Sequence, residues 1–252
     1  MHRIRCVAFI GGSAATLPDG FAVCESRMQH TPWGEPSAPV HAGALHGMPA
    51  LYLARHGEPH TIAPHRINYR ANLRALADLG ATHVVALNTV GGIAAAARPG
   101  TLWIPQQIID YTWGREGSFH DGVLLPLDHV ECSEPFDVAM RELLLAAGSA
   151  AGVCMQPGGV YGCTQGPRLE TAAEIERLRR DGCDLVGMTA MPEAVLAREL
   201  GLGYAMLAMV VNRAAGCSDE PITMERVREQ SALCLEQAMR VLAQLALLGV
   251  AC

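Results

Sequence analysis

Four short strings place chemistry-bearing side chains directly after apolar, β-prone runs. Gly11-Gly12-Ser13 follows Val7–Ile10, Arg55-His56-Gly57 follows Ala50–Ala54, Asn88-Thr89-Val90-Gly91-Gly92 follows His83–Leu87, and Met188-Thr189 follows Leu185–Gly187. Glycines at such turns let backbone N–H groups approach an anion, and Ser13 and Thr189 add hydroxyl donors. The Arg55 guanidinium is a planar fork suited to phosphate oxygens, and the adjacent His56 imidazole can donate a further hydrogen bond. Taken singly, each string has a plainer explanation: Gly11-Gly12 as a tight turn, Arg55 in a strand-end ion pair. GGSAAT lacks the third glycine of a dinucleotide fingerprint, so a dinucleotide cofactor is not indicated.

A second set of residues could read a ring. Glu170, in Gly166-Pro167-Arg168-Leu169-Glu170, offers a carboxylate, and Asn212, in Asn212-Arg213-Ala214-Ala215-Gly216, offers a carboxamide. Together they could address the edge of a heterocycle, although Glu170 alone also fits a carboxylate favouring a helix N-terminus. Met188 could present a soft apolar surface to a sugar, or fill the core. Glu193 could accept from ribose hydroxyls or pair with Arg198, and His60 reads as structural.

Strands and helices must bring these residues together. Beyond the runs already named, Thr101–Ile104, Gly159–Cys163 and Tyr204–Val211 read as strands, the last leading into Asn212. Helical spacing occurs over His65–Leu79, where Ile67, Ala71, Ala75 and Leu79 recur every four residues before Gly80. Phe136–Ala147, Ala172–Arg180, Pro192–Leu200 and Thr223–Leu248 are further helical stretches, with Thr223 a reasonable N-cap. This alternation predicts an α/β sheet with helices on both faces. Each stronger strand run delivers its polar residues at its carboxyl end, where crevices form in open α/β sheets. Gln29–Pro39 and Asp110–Pro135 break the alternation, and long irregular segments in a compact domain are commonly functional or interfacial. No linker or repeat is evident, so a single domain over residues 1–252 is expected.

Composition narrows the partners. Half of the 252 residues are apolar and only 17% are charged, which suits a buried core rather than a disordered chain. A net charge of −6 opposes general binding to nucleic acid or to a membrane surface. Nine cysteines without a CxxC pair read as reduced thiols in a cytosolic protein, with no zinc spacing. The short apolar run at the N-terminus reads as a strand, not as a signal peptide or membrane span.

Taken together, these residues resemble the trimeric purine nucleoside phosphorylase and methylthioadenosine phosphorylase superfamily over nearly the whole chain. The resemblance rests on four ordered stretches: TPWGEPS (Thr31–Ser37), LARHGEPHTIAPHRINYRANLRAL (Leu53–Leu76), GPRLETAAE (Gly166–Glu174) and MTAMPEAVLARELG (Met188–Gly201). It implies a mixed, partly barrel-like sheet flanked by helices in one nucleoside phosphorylase domain. It also implies a phosphate site at Ser13, Arg55, His56, Thr89, Val90 and Thr189, with Met188 under the ribose. Leu169, Ala214 and Met224 would complete the substrate pocket, and His129 would reach the 5′ end from a neighbouring subunit of a homotrimer. No metal or cofactor is implied, inorganic phosphate being a co-substrate.

The sequence departs from the methylthioadenosine branch where the base should bind. That branch carries aspartates near the position of Asn212, and a phenylalanine-serine where this chain has Leu169-Glu170. Asn212-Arg213-Ala214-Ala215-Gly216 and Glu170 are instead similar to the 6-oxopurine phosphorylases. Hypoxanthine presents an N1–H donor, which a carboxylate accepts, with N7 and O6 open to an amide donor. Adenine reverses the pattern, at a cost of roughly 1–3 kcal/mol for each mismatched buried polar group. Expected is phosphorolysis of S-methyl-5′-thioinosine to hypoxanthine and 5-methylthioribose 1-phosphate, with Asn212 and Glu170 as the catalytic pair. Inosine or guanosine satisfies the same base contacts, so a general purine nucleoside phosphorylase remains open, as does a methylthioadenosine phosphorylase. A nucleosidase using water and a binding protein without turnover are the more distant readings.

Overall fold

Val7, Ala8, Phe9 and Ile10 are all fully buried, so the first apolar run becomes a strand covered on both faces, β1 (Val7–Gly11). The computed structural model describes residues 4–13 and 16–250. β1 pairs in parallel with β4 (Met48–Ala54) on one side and β5 (His83–Gly92) on the other. Beyond β4 lie β3 (Val40–Leu45) and the edge strand β2 (Phe21–Arg27), both antiparallel. At β5 the sheet forks. One arm runs antiparallel to β10 (Leu185–Gly187) and on through β9 (Val160–Cys163) to β7 (Gln107–Asp110). The other runs parallel to β11 (Gly203–Arg213), then to β6 (Leu102–Ile104) and β8 (Met155–Pro157). The mixed, partly barrel-like sheet expected from the family likeness takes this branched form.

The period-two alternation of the strands sorts the core onto two faces. Ala8, Ile10, Val84, Ala86, Met206 and Ala208 pack with Leu73 and Leu76 of α1 (Tyr69–Asp78) and with Leu196 of α4 (Ala190–Glu199). Val7, Phe9, Val85, Leu87, Ala205 and Leu207 pack with Leu144 of α2 (Val138–Ala150) and with Val241 and Leu242 of α5 (Met224–Val250). α5 is long and apolar enough to cross a membrane, yet its apolar face lies on β11 and α2 in this core.

Helix starts follow side-chain caps. Asn68 accepts from the Ala71 backbone at 3.1 Å, so α1 begins four residues later than the spacing predicts, after a 3-10 turn at Pro64–Arg66. α3 (Ala172–Arg180) opens on a capping box between Thr171 and Glu174 and matches the expected range. Met191 is non-helical within α4, so regular helix starts at Pro192.

The two irregular segments are packed, not free. Trp33 meets the buried ring of Phe119 edge-on, with centroids 4.7 Å apart. Arg70 of α1 pairs with Glu116 and Asp121, and Glu199 of α4 accepts from Ser118 and the Phe119 backbone. All eight cysteines of the described residues are free thiols, and Cys252 lies outside those residues.

Candidate active site

The carboxyl ends of β1, β4, β5, β10 and β11 meet one wall of α5 around a cavity of about 800 Å³. Ser13, Arg55, His56, Thr89, Val90 and Thr189 line it, as do Leu169, Glu170, Met188, Asn212, Ala214 and Met224. His129 does not line it. It sits exposed in the segment between β7 and α2, its backbone N–H bonded to Asp128.

At the end lined by Ser13, the turn after β1 lies hard against β5. A Cβ at Gly12 would stand 2.7 Å from the Leu87 carbonyl oxygen and 3.1 Å from Arg55 Nη1, which only glycine avoids. Arg55 itself is fully buried and donates to Glu193 through Nε (2.8 Å) and Nη2 (2.9 Å), a bidentate pair. Nη1 adds a bond to the Leu87 carbonyl at 3.2 Å. Glu193, also fully buried, accepts a third bond from the Tyr204 hydroxyl at 2.8 Å. Burial opposes the Arg55 cation, but the Glu193 carboxylate outweighs it and holds the guanidinium above its ordinary range. Glu193 therefore neither faces a ribose nor pairs with Arg198, which binds Glu131 instead. Its placement in the first turn of α4 points it into the protein beneath the cavity floor.

His56 also differs from expectation. Its Nδ1 lies 2.8 Å from the Ile62 carbonyl, which can only accept, so Nδ1 carries the proton and Nε2 is left as an acceptor. The ring stacks on His60, which also lines the cavity, at 4.3 Å. Burial first, then the Arg55 charge, push the imidazole down to about 4. The folded value lies below the unfolded one, so the unfolded chain takes up this proton first as pH falls. The contribution is whole above the unfolded value and is lost progressively towards pH 4. Between about pH 7 and about pH 5 the wild type should lose roughly 2 kcal/mol more unfolding free energy than His56→Gln. Urea denaturation of both proteins at the two pH values checks this; parallel losses would contradict it.

Asn88 was not singled out from sequence. It is buried at the cavity and donates through Nδ2 to Thr189 Oγ1 at 2.8 Å. The Thr189 hydroxyl accepts there, which leaves its own proton for a further acceptor. A polar residue where the apolar run Val84–Leu87 stops is the available signal, although β5 itself continues through Asn88 to Gly92.

Among the other lining residues, Glu170 has its Oε1 2.5 Å from Thr164 Oγ1. Asn212 donates through Nδ2 to the Arg213 carbonyl at 2.8 Å. Arg213 points the opposite way, onto the carbonyls of Ile93, Ala94 and Ala97, so Asn212 and Ala214 share the cavity side. The β5–β11 register slips between Val210 and Asn212, a bulge of the kind that re-aims side chains beside sites. Behind the site, Arg115 from the irregular segment bonds the carbonyls of Met188 and Met191 through Nη1 and those of Thr164 and Gln165 through Nη2. It ties the two loops that carry Glu170 and Thr189, a role with no local sequence signal. Gly166 lets those loops touch: a Cβ there would stand 2.5 Å from Met188 Sδ.

Hydroxyls, a buried guanidinium, a carboxylate and a carboxamide thus share the lining of one cavity. The profile of the family described as Phosphorylase superfamily matches residues 7–246, and the chain belongs to that superfamily. It is 51% identical over 222 residues to a "Probable S-methyl-5'-thioinosine phosphorylase" of Xanthomonas campestris, covering 88% of this chain and 89% of the relative. It is 42% identical to the "6-oxopurine nucleoside phosphorylase" of Pyrococcus furiosus, over 88% and 85% of the two chains. Among solved structures, the methylthioadenosine phosphorylase of Schistosoma mansoni in complex with adenine superposes with a TM-score of 0.91 at 32% identity, covering 97% of this chain and 92% of that one.

Proposed function

We propose that this enzyme cleaves a 6-oxopurine 5′-thionucleoside with inorganic phosphate, converting S-methyl-5′-thioinosine to hypoxanthine and 5-methylthioribose 1-phosphate in purine salvage. The observation that carries the reading is that Glu170 and Asn212, 42 positions apart in sequence, line one cavity with Ser13 and Thr189. The names of the Xanthomonas and Pyrococcus relatives support the same base class.

In this reading phosphate sits between the Gly12–Ser13 turn, Thr189 and the backbone near Thr89 and Val90. The charge of Arg55 is largely balanced by Glu193, so Arg55 acts as a fixed dipole and hydrogen-bonding floor rather than as a mobile clamp. His56 Nε2 accepts from a protonated phosphate oxygen. The base lies against Leu169 and Ala214, with Glu170 accepting from N1–H. Phosphate oxygen bonds to C1′ as the C1′–N9 bond breaks, and the bond pair passes into the purine. Asn212 stabilises that charge by donating at N7, the purine then taking its proton at a ring nitrogen. No cofactor beyond co-substrate phosphate is needed. The working form is a cytosolic homotrimer in which His129 serves a neighbouring cavity. Its exposure outside its own cavity, in the same segment between β7 and α2 as exposed Trp113, Val123 and Leu127, supports that assembly.

A phosphate-dependent assay over adenosine, inosine, methylthioadenosine and S-methyl-5′-thioinosine, on protein sized by sedimentation, tests the reading. Expected are a trimer, no turnover without phosphate, and kcat/KM highest for the thioinosine and at least about 100-fold lower for both adenine nucleosides. A preference for methylthioadenosine would overturn the base assignment. Equal use of inosine would overturn the 5′ assignment, and a fully active monomer would remove His129.

A further inference from the structure

We propose that Thr164 is a specificity-determining positioning residue: its hydroxyl occupies one oxygen of Glu170 and so aims the other at the base. This rests on the reading of Glu170 as the group that meets the purine N1 position.

Thr164 follows directly on β9 and is held from both sides of its peptide. Its N–H donates to the Gly187 carbonyl at 2.8 Å, and its own carbonyl accepts from Arg115 Nη2 at 3.3 Å. The hydroxyl therefore projects from a fixed backbone. It has one proton and two neighbours that can only accept: Glu170 Oε1 at 2.5 Å and the Gly187 carbonyl at 3.3 Å. The shorter contact has the length of a charge-assisted O–H···O⁻ bond, so the proton goes to the carboxylate.

Glu170 needs such a partner. It sits in the loop after Gly166, one residue before the Thr171 cap of α3, and is only half-buried. Its neighbour Arg168 is turned away, bound through both terminal nitrogens to Glu174. Thr164 is the one side chain that bonds the Glu170 carboxylate among the described residues. Without it the carboxylate turns freely about its last torsions, and either oxygen, at a range of angles, meets the ring. Discrimination between N1–H and a bare N1 depends on a fixed acceptor, because a group free to swing away from adenine N1 avoids the repulsion that rejects it.

The test compares Thr164→Val, Thr164→Ser and Glu170→Gln by kcat/KM for inosine and adenosine nucleosides with the same 5′ group, together with the KM for phosphate. Thr164→Val preserves shape and removes the hydroxyl. It should lower the 6-oxo over 6-amino preference by about tenfold, chiefly through nucleoside KM, while phosphate KM stays at the wild-type value. Thr164→Ser, which keeps the hydroxyl, should restore the preference. Glu170→Gln should collapse it altogether. If Glu170→Gln collapses the preference but Thr164→Val leaves it intact, the Thr164 role is wrong and the base reading stands. If Glu170→Gln leaves the preference intact, the base reading itself falls. Failure of Thr164→Ser to rescue would show a packing role for Thr164 and would also overturn the proposal.

Discussion

Replacing Asn212 with alanine is expected to lower kcat for 6-oxopurine nucleosides by about 100- to 1000-fold, the loss typical of removing one pre-positioned transition-state donor. The effect should be this large because the amide is already held. One N–H is spent on the Arg213 carbonyl, and Arg213 is anchored in turn on three carbonyls of the 93–97 turn. In the proposed reaction the second N–H is therefore directed without reorganisation at the moment the purine gains charge. Asn212→Asp should be at least as damaging, since it sets an acceptor and a negative charge against a ring nitrogen that is becoming electron-rich. Steady-state kinetics with saturating phosphate measures both, and the phosphate KM should move little. A wild-type kcat in either variant would remove Asn212 from the reaction.

The second large effect concerns stability. Glu193→Ala leaves the Arg55 guanidinium buried with only the Leu87 carbonyl at close range and Asn88 at 3.5 Å. Stranding one member of a buried ion pair costs about 3–5 kcal/mol. For a chain of this size each kcal/mol moves the melting temperature by about 2–4 °C, so a fall of roughly 10 °C or more is expected. Tyr204 adds to the loss, because its buried hydroxyl donates to the same carboxylate. Replacing both Arg55 and Glu193 by apolar residues of similar volume should recover most of that stability while phosphate use is abolished. Calorimetry on the single and double variants measures the coupling. Additive losses would show that the pair is not a unit.

Much of the fold could be read because it is local. α3 begins where Thr171 and Glu174 can cap each other, and that information lies within four residues. The buried strands β1, β4 and β10 stop with their apolar runs, which places Ser13, Arg55 and Thr189 just beyond them, whereas β5 and β11 continue past their apolar runs and hold Thr89 and Asn212 within the strand. β2 and β3 were not legible. β2 opens on the short apolar run Phe21–Cys24 but is an edge strand exposed from Ala22 to Arg27, so no alternation of buried and exposed positions marks it. β7 and β8 are short, half-buried or exposed, and β8 ends in a proline. The start of α1 was misplaced because a 3-10 turn mimics helical spacing and the Asn68 cap is a single side chain.

Residue types alone determined the α/β frame and predicted an anion-seating set of hydroxyls with a carboxylate and carboxamide suited to a 6-oxopurine. Only the folded chain decided how those groups behave. Arg55 meets Glu193 across 138 positions, Arg115 binds loops some 50 and 75 residues away, and Thr164 takes one Glu170 oxygen. The His56 proton is committed to the Ile62 carbonyl, and a bulge at Val211 sets where Asn212 points. Hydrophobic period and capping act between near neighbours, whereas hydrogen-bond partnership and burial depend on which distant segments the packed sheet brings within 3 Å or so of each other.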